Sequence, residues 1–167
     1  MPETRLAVDT SFLMDLAHPK DVALDAREVI HRRMRGAQIL ATPCVLKETF
    51  RNAQIATDPK TRADAHKALV GMKAWGVVAV ELSDIQATIA RFTANKLLDE
   101  GIIPVEEYND ALILAEAAVL GCQVLVSSDS HLLGADRARL ALALQACGVN
   151  VVVVCSPREI VQVFAGW

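Results

Sequence analysis

The stretch YNDALILAEAAVLGCQVLVSSDSHLL, from Tyr108 to Leu133, decides the fold. Ala111, Leu112, Leu114, Ala115, Ala118 and Val119 recur at helical spacing, and Gly121 stands where a helix stops. Val124, Leu125 and Val126 then form a short apolar run of the kind buried in a parallel sheet. Asp110 lies in the first turn of the predicted helix, where the helix dipole favours an anion. Asp129 falls just past the C-terminal end of the strand, the edge at which open α/β sheets place their sites. One helix–strand unit thus carries an acid on each side.

The same alternation extends in both directions. Arg5 to Val8 reads as a strand closed by Asp9-Thr10-Ser11, with Thr10 or Ser11 suited to cap a helix containing Phe12, Leu13 and Leu16. His18-Pro19 ends that helix. A second helix runs from about Asp21 to Arg35, with Val22, Ala26, Val29 and Ile30 on one face and Gly36 as its stop. Its basic end, with Arg32, Arg33 and Arg35, reads as a solvated terminus favoured by the dipole rather than an RNA contact.

Gln38 to Ala41 is the second strand, and Thr42-Pro43 opens a helix with Val45, Leu46, Phe50 and Ala53 to one side. Glu48 lies in its early turns. Asp58-Pro59 starts a helix reaching about Trp75, and Val77 to Val80 is the third strand. Ser83 to Gln86 is a capping box opening a long helix that ends near Gly101. Beyond Asp129 the pattern predicts a loop with His131 and Gly134, a helix from about Arg137 to Cys147, a strand from Val149 to Val154 and a terminal helix capped at Ser156. Trp75 and Trp167 read as packing residues. Five strands alternating with helices predict one domain over residues 1–167, a three-layer α/β/α fold around a mainly parallel five-stranded sheet.

Composition narrows the function. With 53% hydrophobic and 22% charged residues the chain is globular, not disordered. No apolar run approaches ~20 residues, so no membrane span is expected. The first residues, MPETRLAVDT, mix acid and base and do not read as a secretory signal. Cys44, Cys122, Cys147 and Cys155 lack zinc-ligand spacing and are expected to pack as small hydrophobes in a reducing cytoplasm. A net charge of −3 gives no global attraction to nucleic acid, and 4% aromatics argue against a base-stacking platform. Any RNA contact must rest on local basic groups, of which Lys47 and Arg51 beside Glu48 are the best placed.

The acids carry the chemistry. Asp9 and Asp129 end strands at one sheet edge, while Glu48 and Asp110 lie in early helical turns, consistent with that edge if their helices enter the site there. Crowded carboxylates repel and raise one another's pKa unless a cation neutralises them. Hard oxygen ligands select Mg²⁺ or Mn²⁺, and such an ion can activate water and stabilise charge on a phosphate. Phosphodiester cleavage is the chemistry implied. His131 reads as a loop histidine outside this set.

Asp9-Thr10-Ser11 after an apolar strand resembles the opening of the PIN-domain nucleases. Leu46-Lys47-Glu48 is similar to their second acidic motif, Asp110-Ala111-Leu112-Ile113 to their third and Ser127-Ser128-Asp129 to their fourth. Each motif alone is weak, but four in register over nearly the whole chain are specific. The resemblance implies a PIN fold and a Mg²⁺- or Mn²⁺-dependent endoribonuclease acting on single-stranded RNA. Asp9, Glu48, Asp110 and Asp129 become the metal-binding catalytic acids, with Thr10, Ser11 and Ser127 in support. It also implies homodimers and, in the VapC-type toxins, an antitoxin protein as partner. Where the family commonly has a further acid two places after the fourth motif, this chain has His131. The alternative reading is a non-catalytic PIN-fold module for RNA binding or assembly. A phosphoacceptor receiver and a haloacid-dehalogenase-type phosphatase both fit poorly, the first for want of paired acids after strand one and the second because Ser11 stands where its second aspartate belongs.

Overall fold

The computed structural model describes residues 3–18 and 20–164. Pro19 and Trp167, read as a helix stop and a packing residue, lie outside the described residues. In chain order the elements are β1 (Arg5–Val8), α1 (Thr10–Ala17), α2 (Asp21–Arg33), β2 (Gln38–Ala41), α3 (Pro43–Ile55), α4 (Pro59–Gly71) and β3 (Val77–Ala79). Then follow α5 (Asp84–Asp99), α6 (Tyr108–Val119), β4 (Val124–Val126), α7 (Ser130–Leu133), α8 (Arg137–Ala146), β5 (Val153–Cys155) and α9 (Pro157–Phe164).

The five strands lie in the order β3-β2-β1-β4-β5, and every pairing is parallel. The order follows from burial. Leu6, Ala7 and Val8 of β1 alternate between the two faces of the sheet, yet each is fully buried, so helices cover both faces and β1 takes the centre. The chain leaves β1 towards β2 and β3 on one side and returns to β4 and β5 on the other. The direction of winding therefore reverses between β1 and β4, which opens a crevice at their C-terminal ends.

Helix α6 lies deepest. Residues from Ala111 to Ala118 are almost all buried, and the alanines let the helix pack closely against α5 and α3. Gly121 ends the turn at φ 75°, a left-handed conformation that only glycine adopts without strain, and releases the chain into β4. Leu125 in β4 has no exposed surface, so truncating it to alanine would cost about 2–5 kcal/mol.

Several expectations change in detail. Asp9, not Thr10 or Ser11, is the N-cap of α1, because its carboxylate accepts the Thr10 N–H. The loop after Asp129 contains the helical turn α7, capped by Asp129 itself. Val22 and Phe50 are exposed, and Ala23, Ala26 and Ile30 of α2 and Cys44, Val45 and Thr49 of α3 form the buried faces instead. β5 is shorter than the valine run suggests. Its register with β4 begins at Val153, while Val149 is still bonded back to Leu144 at the end of α8 and Asn150 to Ala118. Trp75 is partly buried against the core, as its packing role required.

Candidate functional site

The crevice between β1 and β4 is lined by groups that the two strands deliver directly. Asp9 follows β1, and its backbone N–H donates to the Val126 carbonyl at 3.0 Å, which pins it to the end of β4. Its side chain is buried. One carboxylate oxygen accepts the Thr10 N–H at 2.7 Å, and the other accepts the Ser11 and Ser127 hydroxyls at 2.8 and 2.7 Å. Burial raises the Asp9 pKa and these hydrogen bonds oppose the rise. The Ser127 hydroxyl also accepts the Asp129 N–H at 2.9 Å, and Ser11 accepts the Ser128 N–H at 3.0 Å. The Ser11 and Ser127 hydroxyls thus form a frame joining Asp9 to the Asp129 turn.

Glu48 reaches the same place from α3. The Thr10 hydroxyl donates to its Oε2 at 3.0 Å, and burial raises its pKa, with Asp9 and Asp129 adding to the rise. Asp110, in the first turn of α6, is pushed up to about 7 by burial and by the charges of Asp129, Asp9, Glu107 and Glu48. Its Oδ2 is buried and has no hydrogen-bond partner. Among the described residues no Lys or Arg forms an ion pair with Asp9, Glu48, Asp110 or Asp129. A buried carboxylate oxygen normally has a partner, and leaving one without costs about 1–3 kcal/mol. All four acids thus lie close enough at one edge for their charges to raise the pKa values of Asp9, Glu48 and Asp110, although among the described residues only Glu107, Asp110 and His131 bring three ligand atoms within 4.8 Å of one another. Carboxylate oxygens, one of them buried and unpartnered, are the donors a hard divalent cation takes.

Lys47 and Arg51 lie on the exposed side of α3, next to Glu48. With Asn52, Tyr108 and Glu116 they line a cleft of about 610 Å³ between α3 and α6 that includes Glu48 but not Asp9, Asp110 or Asp129. Arg32 and Arg33 are exposed at the far end of α2, and Arg32 pairs with Glu28. The solvated reading of that helix end fits this placement.

Three residues at the site lie outside the set assembled from the sequence, which puts His131 aside as a loop histidine. Glu116 is buried inside α6, and its Oε2 accepts the Cys44 N–H at 2.9 Å, one of the free donors at the start of α3. Cys44 also directs its thiol at the Asn109 carbonyl, at 3.8 Å. These contacts tie the start of α3, which carries Glu48, to the start of α6, which carries Asp110. The other two are Glu107 and His131. His131 Nδ1 stands 3.5 Å from Glu107, 3.6 Å from Asp129 and 3.8 Å from Asp110. The only sequence signal for His131 was its place two residues after Asp129, and Glu107 gave none.

All four cysteines are free thiols, with Cys44 and Cys122 buried. Burial pushes the Cys44 thiol up to about 12, so it packs rather than reacts. No helix among the described residues is long and apolar enough to cross a membrane.

No protein-family model and no curated protein matches the sequence. Solved structures do. The chain is similar to one in VapBC2 from Rickettsia felis bound to a promoter DNA fragment, with a TM-score of 0.62 and 12% identity over 92% of this chain and 98% of that one. VapBC-1 from nontypeable Haemophilus influenzae gives 0.61 at 12% identity, over 93% and 100% of the two chains. FitAcB from Neisseria gonorrhoeae gives 0.58 at 12% identity, over 92% and 99%. At that identity the likeness is one of architecture, carried by the parallel sheet and its flanking helices. The chain has the three-layer PIN-like fold of the VapBC and FitAcB structures.

Proposed function

We propose that this chain, as one PIN-like domain, is a Mg²⁺- or Mn²⁺-dependent endoribonuclease that hydrolyses phosphodiester bonds of single-stranded RNA. The observation that carries the reading is the buried Asp110 Oδ2, without a partner, among acids with which no lysine or arginine of the described residues forms an ion pair. Asp9, Asp110 and Asp129 would hold the ion, with Glu48 in direct or water-mediated support. When bound, such an ion supplies an activated water and stabilises charge on the phosphate. The Ser11, Ser127 and Thr10 hydroxyls hold Asp9 and Glu48 in fixed orientations, so little reorganisation is left for the reacting complex. Lys47 and Arg51 would meet phosphates of a strand lying in the α3–α6 cleft.

The architecture shared with VapBC structures supports a finer reading as the toxin of a toxin–antitoxin pair, working in the cytoplasm as a homodimer until a partner protein covers the site. The test is incubation of the purified chain with single-stranded RNA and Mn²⁺ or Mg²⁺, beside EDTA and an Asp110→Asn variant. Cleavage that both controls remove is expected. Absence of cleavage by a folded, metal-binding protein would turn the reading to a non-catalytic RNA-binding or assembly module. Equal cleavage by the variant would point to a contaminant.

A further inference from the structure

The acids at the crevice do not end with the four that hold the sheet edge. Glu107 is the N-cap of α6, yet its side chain makes no capping hydrogen bond. It turns instead towards His131, which the turn α7 brings over from beyond β4. Carboxylate oxygens of Glu107 and Asp110 and one ring nitrogen of His131 all lie within 4.8 Å of one another. The His131 Nδ1 distances of 3.5 Å to Glu107 and 3.8 Å to Asp110 are long for hydrogen bonds but suit ligands of one ion. Two donors each about 2.1 Å from a cation sit roughly 3.0 Å apart at a right angle and roughly 3.4 Å apart at a tetrahedral angle. The buried Asp110 Oδ2, which has no partner of its own, is the very oxygen that faces His131.

The geometry points to a mixed nitrogen–oxygen site, formed by Glu107, Asp110 and His131 Nδ1, that takes a first-row transition ion such as Mn²⁺ in preference to Mg²⁺. The inference rests on reading the crevice as a metal centre and adds a second ligand set to it, with Asp110 shared between the two. Imidazole is a borderline ligand that suits Mn²⁺, Co²⁺ and Zn²⁺, whereas Mg²⁺ selects oxygen. An acid in place of His131 would have offered a second all-oxygen set. The histidine changes which ion the outer half of the centre retains. Asp129 stands aside from this set, because its Oδ1 is engaged by the His131 and Leu132 N–H groups at 2.8 and 3.3 Å.

The experiment titrates the full chain with Mn²⁺, reading the free ion by EPR and ligand nitrogen by pulsed EPR of the bound ion. His131→Ala and Glu107→Gln are compared with the wild type. Both positions are partly exposed, and circular dichroism confirms their folding. Nitrogen modulation is expected in the wild type and in Glu107→Gln, and is lost in His131→Ala. Mn²⁺ affinity should fall by at least about tenfold in both variants, while Mg²⁺ affinity in His131→Ala changes far less. Bound Mn²⁺ without nitrogen modulation, variants that bind as the wild type does, or no bound Mn²⁺ would each overturn the site. RNA cleavage without nitrogen modulation would sink this site and leave the nuclease standing. Nitrogen-coupled Mn²⁺ without cleavage would do the reverse.

Discussion

Of the helix starts in this molecule that carry an aspartate, those of α4 and α6 use it to opposite ends. At the start of α4, Asp58 is exposed and fully engaged. It accepts the Lys60 and Thr61 N–H groups at 3.2 and 3.0 Å and the Thr61 hydroxyl at 2.8 Å. Those bonds, the Thr61 hydroxyl first, hold its carboxyl below the usual range. In the first turn of α6, Asp110 is largely buried, has an unpartnered oxygen and is pushed up to about 7. The dipole of a helix start favours an anion in both places. Burial and four neighbouring acids outweigh it at Asp110. An acid that stabilises its helix is satisfied locally; one that awaits a ligand is left short by its own protein.

The sharpest way to break this comparison is to neutralise each acid in turn. Asp110→Asn should lower metal-dependent RNA cleavage by at least about 10²–10³-fold, while thermal unfolding in EDTA shows no loss of stability. Asp58→Asn should leave cleavage unchanged. If both variants cleave alike, the contrast has no functional content.

Proton linkage sharpens it further. The folded pKa of Asp110, about 7, lies above the ordinary aspartate value of 3.8, so between the two the folded chain keeps a proton that the unfolded chain has lost. Stability in EDTA should therefore fall as pH rises through that window, flatten above about 7, and lose this component in Asp110→Asn. Metal affinity should move the other way. It should rise by up to about tenfold per pH unit below the Asp110 pKa, since the ion displaces one proton, and level off above it. Denaturation and Mn²⁺ titration across pH check the two limbs separately.

A third variant probes how the site is held. Glu116→Ala strands the buried Cys44 N–H and should cost about 1–3 kcal/mol in chemical denaturation, with Glu116→Gln recovering most of it because an acceptor remains. The smallest effect belongs to Asp58→Ala, which should give a modest fall in melting temperature and no change in metal binding.

Much of the fold was legible because helix starts and stops are local chemistry. The Ser83–Gln86 and Ser156–Glu159 capping boxes both form as the spacing demands. The edge that carries Asp9 and Asp129 was legible too, since parallel topology fixes which ends of the strands meet. What stayed hidden depends on partners distant in sequence. Glu116 meets Cys44 across 72 residues, and nothing near Glu116 marks it as more than a helix acid. Glu107 and His131 are joined only because α6 and α7 start beside the same crevice. Phe50 shows the opposite failure: helical spacing put it with Val45 and Leu46, but the neighbours of α3 cover Cys44, Val45 and Thr49 instead. Periodicity proposes a face, and tertiary neighbours choose it.

The central place of β1 also bears on how the protein comes into being. Asp9 gains its Ser127 hydroxyl from 118 residues downstream. At roughly 5–20 residues per second of synthesis, that partner follows Asp9 off the ribosome by about 6–24 seconds. Until then the growing chain has β2 to one side of β1 and nothing on the other. A site built this way is incomplete for most of the chain's own translation, and it closes only when the last third of the chain has completed the sheet.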